Sequence, residues 1–161
     1  MGRFVSIAVV VWMLALGAHG SFADAPEEKS PNEKAVEELQ GRWERDVKLP
    51  NGAPLHIEKE IVGQSEIVRT FDGERRLLEA HQVDFEVQVV AGHRIFLWTN
   101  ATIIDGPNKG KPREDGRYVY TVKDGKWLCV RGLEQGDMRP LFVEVWTRME
   151  KPVRKDKPDA P

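Results

Sequence analysis

The sequence predicts an all-β domain, with eight antiparallel strands running up and down into a closed barrel behind one short helix. Three observations carry that expectation. A capped amphipathic segment from Ser30 to Leu39 leads straight into Gly41-Arg42-Trp43, apolar residues after Trp43 recur with a period of two and never of 3.6, and tight-turn signals divide those runs at short intervals. Consecutive strands joined in this way pair antiparallel, and closing the sheet removes its exposed edges.

Residues 1–23 read as a secretory signal peptide. Arg3 precedes the uncharged run Phe4 to Ala18, and the small-residue pattern Ser21-Phe22-Ala23 follows. That run of about 15 residues is shorter than the ~20 a spanning helix needs. No second apolar run follows, so no membrane anchor is expected, and no cysteine near Ala23 offers a site for a lipid. The mature chain is expected to be secreted or periplasmic, soluble and monomeric. Removing residues 1–23 takes away Arg3 and no acid, so the formal charge moves from −2 to −3. Nothing in that balance suits nucleic acid. Cys129 is the single cysteine, which rules out an internal disulfide. Between Leu128 and Val130 it reads as a buried strand thiol rather than a nucleophile.

Residues 24–29 are polar and hold Pro26, and residues 152–161 are charged, with Pro152, Pro158 and Pro161 and no aromatic. Both are expected to be disordered. The domain is then 30–151, about 120 residues, enough for one core.

Ser30, with Pro31 in the first helical position and Glu33 three residues on, makes a capping box. Ala35, Val36 and Leu39 share a face, so the helix spans Pro31 to Leu39 and ends at Gly41. Strands are expected over 42–48, 55–62, 65–71, 75–90, 93–104, 116–123, 126–132 and 141–150. Their apolar alternations are Leu55-Ile57-Ile61, Ile67-Phe71, Val83-Phe85-Val87-Val89, Ile95-Leu97, Tyr118-Tyr120-Val122 and Leu141-Val143-Val145. Turn signals stand at Gly63-Gln64, Asp72-Gly73, Ala91-Gly92, Asp105-Gly106, Asp115-Gly116 and Asp124-Gly125. In the fourth run the apolar parity changes between Ala80 and Val83, which predicts a bulge near His81.

Gly-x-Trp carries little weight alone. With 14 Gly and 5 Trp the composition yields roughly 0.4 chance occurrences, and the chain has a second at Gly125-Lys126-Trp127. Only Gly41-Arg42-Trp43 stands between a capped helix and a first strand. In that context the chain resembles the lipocalin superfamily, in which this Trp closes the barrel floor and a basic residue late in the last strand lies over its ring. Gly41, Trp43 and Arg148 are the matching floor residues. A guanidinium over an indole contributes about 0.5–2 kcal/mol. Parity puts Arg148 opposite Val143 and Val145, so the contact requires the last strand to bend or to pass beyond the barrel end.

The chain also resembles the small secreted lipocalin-like domains known mostly from planctomycete bacteria. The shared pattern is Leu39-Gln40-Gly41-Arg42-Trp43, the loop Asp105 to Lys111, Gly116-Arg117-Tyr118 followed by Leu128-Cys129, and a closing basic stretch Arg148 to Lys151. Glu74 to Asn100 departs from it, being richer in charge and aromatics. The resemblance implies a lipocalin-like barrel and export, and it transfers no ligand or catalytic residue.

Phe85, Tyr118, Tyr120 and Trp98 are candidates to line a ligand cavity, or to fill it. Arg69, in phase with Ile67 and Phe71, and Arg131, in phase with Trp127 and Cys129, would project from apolar faces and need partners there, from a ligand or a local carboxylate. The loop Gly106 to Lys111 is not a phosphate loop, because its glycines are too close and Pro112 stands where Ser or Thr should be. A basic rim loop from Asp105 to Asp115 that could touch a protein partner is the better reading. His56, His81 and His93 show no metal spacing, and alternation places His56 and Glu58 on a solvated face. No cofactor is implied. Asn100-Ala101-Thr102 has the form of a glycosylation sequon and marks exposure at most. Local spacing offers no catalytic set, so a non-enzymatic protein is expected. Two functions fit: binding of a small apolar or amphipathic ligand in the cell envelope, or a structural or inhibitor-like interaction barrel with a filled core.

Overall fold

The computed structural model describes residues 28–133 and 141–150. The expected signal peptide, most of the expected leader and the expected tail lie outside them. Within them the chain forms helix α1 (Pro31–Leu39) and strands β1 (Gly41–Lys48), β2 (Pro54–Val62), β3 (Ser65–Phe71), β4 (Leu77–Val90), β5 (His93–Asp105), β6 (Gly116–Lys123), β7 (Lys126–Arg131) and β8 (Phe142–Arg148). The strands pair in chain order, all antiparallel, and close into a barrel when β8 meets β1.

Helix α1 starts where its capping box dictates. Ser30 Oγ accepts from the Glu33 amide at 3.2 Å, and the Glu33 carboxylate accepts from the Ser30 amide at 2.7 Å. It ends at Leu39, because Gln40 leaves the helical region and Gly41 takes φ +107°, a conformation costly for any residue with a Cβ. The helix lies across one end of the barrel. Asn32 Oδ1 accepts from the Val89 amide at 2.9 Å, Tyr120 donates to the Ala35 carbonyl at 3.4 Å, and Arg94 pairs with Glu38. At this end the strands are joined by two-residue turns at 63–64, 91–92 and 124–125. The opposite end carries the longer connections 49–53, 72–76 and 106–115. One end is therefore plugged and the other is ringed by loops.

The expected bulge is present, since the β4–β5 register shifts between Ala80 and His81 and again between Gln82 and Asp84. Closure is uneven. β1 and β8 share register pairs only at Trp43–Arg148 and Glu44–Thr147, next to the plugged end. Further up this seam the Arg45 side chain crosses to Glu144 at 3.2 Å.

Three of the apolar alternations prove to be outer faces. In β3 the inward set is Glu66, Val68 and Thr70, so Ile67 and Phe71 face out. In β5 it is Phe96 and Trp98, not Ile95 and Leu97. In β8 Glu144 and Trp146 are buried inside, while Val143 and Val145 are 57% and 48% exposed. The cause is common to all three: the barrel interior is aromatic and charged, so the more aliphatic face of these strands is the outer one.

Candidate functional site

The plugged end is built around Trp43, which is fully buried. Its indole Nε1 donates to the Leu39 carbonyl at 2.8 Å, its ring meets Trp127 edge-on at 5.4 Å, and the Arg148 guanidinium lies 4.1 Å from its centroid. Because β8 turns Glu144 and Trp146 inward, Arg148 shares their face and reaches the indole without any bend in the strand. Its Nη1 donates to the Gln40 carbonyl at 2.6 Å and its Nη2 to the Glu38 carbonyl. A cation thus satisfies the open carbonyls at the C-terminus of α1, where the helix dipole favours positive charge. Gly41, Trp43 and Arg148 are the floor, as expected. Trp127, from the second Gly-x-Trp, is equally buried and belongs to the same core.

Above this floor the interior is open. A cavity of about 1070 Å³ runs from mid-barrel to the loop-ringed end, at the upper limit of small-molecule sites, which reach about 1,000 Å³. Its wall mixes apolar residues, Ile57, Val68, Val83, Phe96 and Ala101, with charged and polar ones.

Two charge clusters stand in that wall. In the first, Lys59 is 2% exposed and donates to Glu66 at 3.1 Å and to the Tyr118 hydroxyl at 3.5 Å. Its ammonium also sits 4.6 Å from the Trp127 ring and 4.5 Å from Trp146, so aromatic faces replace much of its lost hydration. In the second, Glu144 is 4% exposed and its Oε1 lies 3.2 Å from Arg45 and 3.5 Å from Arg131. Its Oε2 accepts from Trp146 Nε1 at 3.0 Å. Arg45 stacks on Trp146 at 4.6 Å, and Arg131 lies 5.1 Å from both Trp98 and Tyr118. Among the described residues Nε of Arg45, Nε of Arg131 and Nε1 of Trp127 are buried without a hydrogen-bond partner, although Arg131 Nε is the atom that lies 3.5 Å from Glu144.

At the rim Arg113 donates to Glu79 at 2.6 Å and to His81 Nδ1 at 3.1 Å, which leaves the His81 proton on Nε2. Burial first, and then the neighbouring Arg113, Lys59 and Arg131, bring the His81 pKa down to about 4. Burial likewise pushes the Tyr118 hydroxyl well up, and the Cys129 thiol up to about 12. The loop 106–115 folds back along β5, with the Arg113 amide donating to the Ala101 carbonyl at 2.7 Å. Its residues 112–115 line the cavity mouth.

Of the five residues expected to line a cavity, Tyr118 and Trp98 do so. Phe85 and Tyr120 are buried in the core below it. Phe85 stacks on Phe96 at 4.5 Å and Phe96 on Tyr118 at 4.9 Å. Arg69 is on the outer face of β3, paired with Glu60 at 3.0 Å. Its expected phase was that of Ile67 and Phe71, which face out with it. Arg131 does project inward with Trp127 and Cys129. His56 and Glu58 share the outer face of β2, but that part of the surface is covered. His56 is 5% exposed, with Nδ1 at 2.9 Å from Asp46 and Phe71 beside its ring. Among the described residues no group of three His, Cys, Asp or Glu is arranged to hold a metal.

Lys59, Glu66, Glu144, Arg45 and Trp146 escaped the sequence reading. A signal for part of this set existed: if Arg148 must reach Trp43, Trp146 and Glu144 must point inward by period two. Lys59, likewise, occupies the gap in the Ile57-Ile61 alternation.

Fold and site together define a closed eight-stranded barrel, plugged at one end, with an amphipathic cavity at the other. No family model, curated protein or solved structure matches this chain.

Proposed function

We propose that this protein is a secreted, lipocalin-like carrier or receptor that binds a small amphipathic ligand in the cell envelope and does not transform it. The observation that carries the reading is the cavity of about 1070 Å³, lined by both apolar and charged side chains. The polar wall argues against a purely apolar ligand, since burying its charges under hydrocarbon would leave them without water. The same volume counts against the filled core that an interaction barrel would have. Binding rather than turnover is supported by the state of the inward titratable groups. Lys59 is engaged by Glu66, the Cys129 thiol is pushed up to about 12, and His81 is held neutral by burial and the neighbouring Arg113. None of these is an activated nucleophile or a base poised near neutrality. Secretion rests on residues 1–23 and the lipocalin likeness on Leu39 to Trp43 with Arg148.

Native mass spectrometry of the exported protein, before and after organic extraction, tests the reading. A small organic molecule that leaves on extraction, and that restores the original mass when added back, is the expected result. Identical masses, together with no change in tryptophan fluorescence on titration with amphiphiles of any head-group charge, would overturn it.

A further inference from the structure

The outside of the barrel has two unlike sides. On β1, β2 and β4 the outward residues are mostly charged, among them Glu44, Asp46, Glu58, Glu60 and Glu86. On β6, β7 and β8 they include Val119 and Thr121, Leu128 and Val130, and Val143 and Val145. Strand register lines these six up. Val119, Val130 and Val143 are partners in one row across the three strands, and Thr121, Leu128 and Val145 in the next. Ile95 on β5 continues the first row. Leu128, Val143 and Val145 are 37%, 57% and 48% exposed, so a single copy leaves this face in water. The core does not use it, because Trp127, Cys129 and Trp146 fill the interior from the other side of the same strands. Two adjoining rows of mostly β-branched side chains on regular strands form the kind of surface that packs against another sheet.

The row nearest the plugged end identifies the partner. There Lys123, Lys126, Thr147 and Glu44 are successive register partners on β6, β7, β8 and β1. Charge therefore runs from basic to acidic across the strands, with the Lys126 ammonium donating to the Thr147 hydroxyl at 2.8 Å. A face that is basic on one flank and acidic on the other is complementary to itself, as an isologous contact requires. A two-fold axis along the strands, between β7 and β8, keeps each row at its own height and exchanges the flanks. It sets Leu128 against Val145 of the second copy and Val130 against Val143, and it turns the lysines of each copy toward Glu44 of the other. An anionic lipid surface would meet Glu44 as a like charge, and a neutral one would leave both flanks unmatched.

We infer that two copies of this chain pack back to back through the outer faces of β7 and β8, with Leu128, Val130, Val143 and Val145 at the centre and Lys126 and Glu44 on the flanks. Because the axis runs along the strands, both cavities stay open and face the same side of the pair.

Sedimentation velocity of the exported full chain tests this. The protein is expected to be a dimer at about 100 µM and a monomer at about 1 µM, the range of a small interface. Val145→Glu should give a monomer at both concentrations with an unchanged melting midpoint, since the side chain lies outside the core. Lys126→Glu and Glu44→Lys should each weaken association about tenfold at low salt, and the two together in one chain should restore it. Neither partial unfolding nor a simple loss of apolar surface produces such a rescue. A monomer at every concentration, a dimer that Val145→Glu leaves intact, or a double charge exchange without rescue would overturn the inference. A monomer destabilised by Val145→Glu would assign the face to the chain's own residues 151–161, and a monomer that this substitution releases from neutral lipid vesicles would assign it to a membrane.

Discussion

The two ends of the barrel use the same contact, an arginine over an indole, for different ends. At the floor Arg148 covers Trp43 at 4.1 Å and gives its N–H groups to the carbonyls of Gln40 and Glu38, so the cation is consumed in joining β8 to α1. At the mouth Arg45 and Arg131 cover Trp146 and Trp98 at 4.6 and 5.1 Å, yet they share one carboxylate and each keeps an unpartnered Nε. What separates the two sets of arginines is thus the supply of acceptors, not the stacking. Backbone carbonyls at a helix end are fixed acceptors that water cannot easily serve once covered, whereas a cavity wall holds its donors open.

Replacing Trp43 with Ala should strike the floor hardest, because it empties the largest buried side chain there and strands the Leu39 carbonyl; a loss of ~3–5 kcal/mol is expected in urea unfolding. A similar cost, about 3–5 kcal/mol, is expected for Lys59→Met, which leaves Glu66 charged and buried without its partner. The double variant Lys59→Met, Glu66→Met should recover most of it. A double variant as unstable as the single one would show that the aromatic contacts of Lys59, not its ion pair, matter.

The direct comparison is Arg148→Met against Arg131→Met. The first removes two charge-assisted hydrogen bonds and should cost about 2–3 kcal/mol. The second should change stability by less than ~1 kcal/mol, since Arg131 is a partly exposed group bound to an overcommitted carboxylate. Equal losses in chemical denaturation would erase the distinction between the two ends.

A separate effect is expected from pH. The His81 pKa lies at about 4 in the folded protein against 6.5 for the free side chain, so the unfolded chain binds more protons between those values and stability falls as pH drops through that window. Glu33 and Asp72, whose pKa values are also lowered, act further down the acid range. Melting midpoints measured from about pH 7 to about pH 5 should fall for the native chain and hardly at all for His81→Gln. An unchanged slope in the variant would assign the acid sensitivity elsewhere.

Most of the barrel was legible before any coordinates. The capping box sets α1 at Pro31, and tight-turn residues separate the hairpins at Gly63, Gly92 and Gly125, all with positive φ. The parity break at Ala80 marks the bulge. These are local effects, settled by backbone sterics and by hydrogen bonds a few residues apart. Which face of a strand points inward was legible only where the interior is apolar, as at Val83-Phe85-Val87. It was misread in β3, β5 and β8, where the inward residues are Glu66, Phe96, Trp98, Glu144 and Trp146. Hydrophobic alternation identifies the inner face on the assumption that the core is apolar, and an interior lined by charged and aromatic side chains breaks that assumption.

The sequence by itself therefore determined the elements, their order and their antiparallel pairing, since each depends on neighbours along the chain, whereas the contact of Arg148 with Trp43 was implied only by a family resemblance and ran against the parity expected of the last strand. Only the tertiary structure decided that Arg45, Lys59, Glu66, Arg131 and Glu144, spread over β1, β2, β3, β7 and β8, face one another across a cavity. A buried charge is tolerated only beside its partner, and for these five the partners lie on different strands, brought within reach by barrel closure.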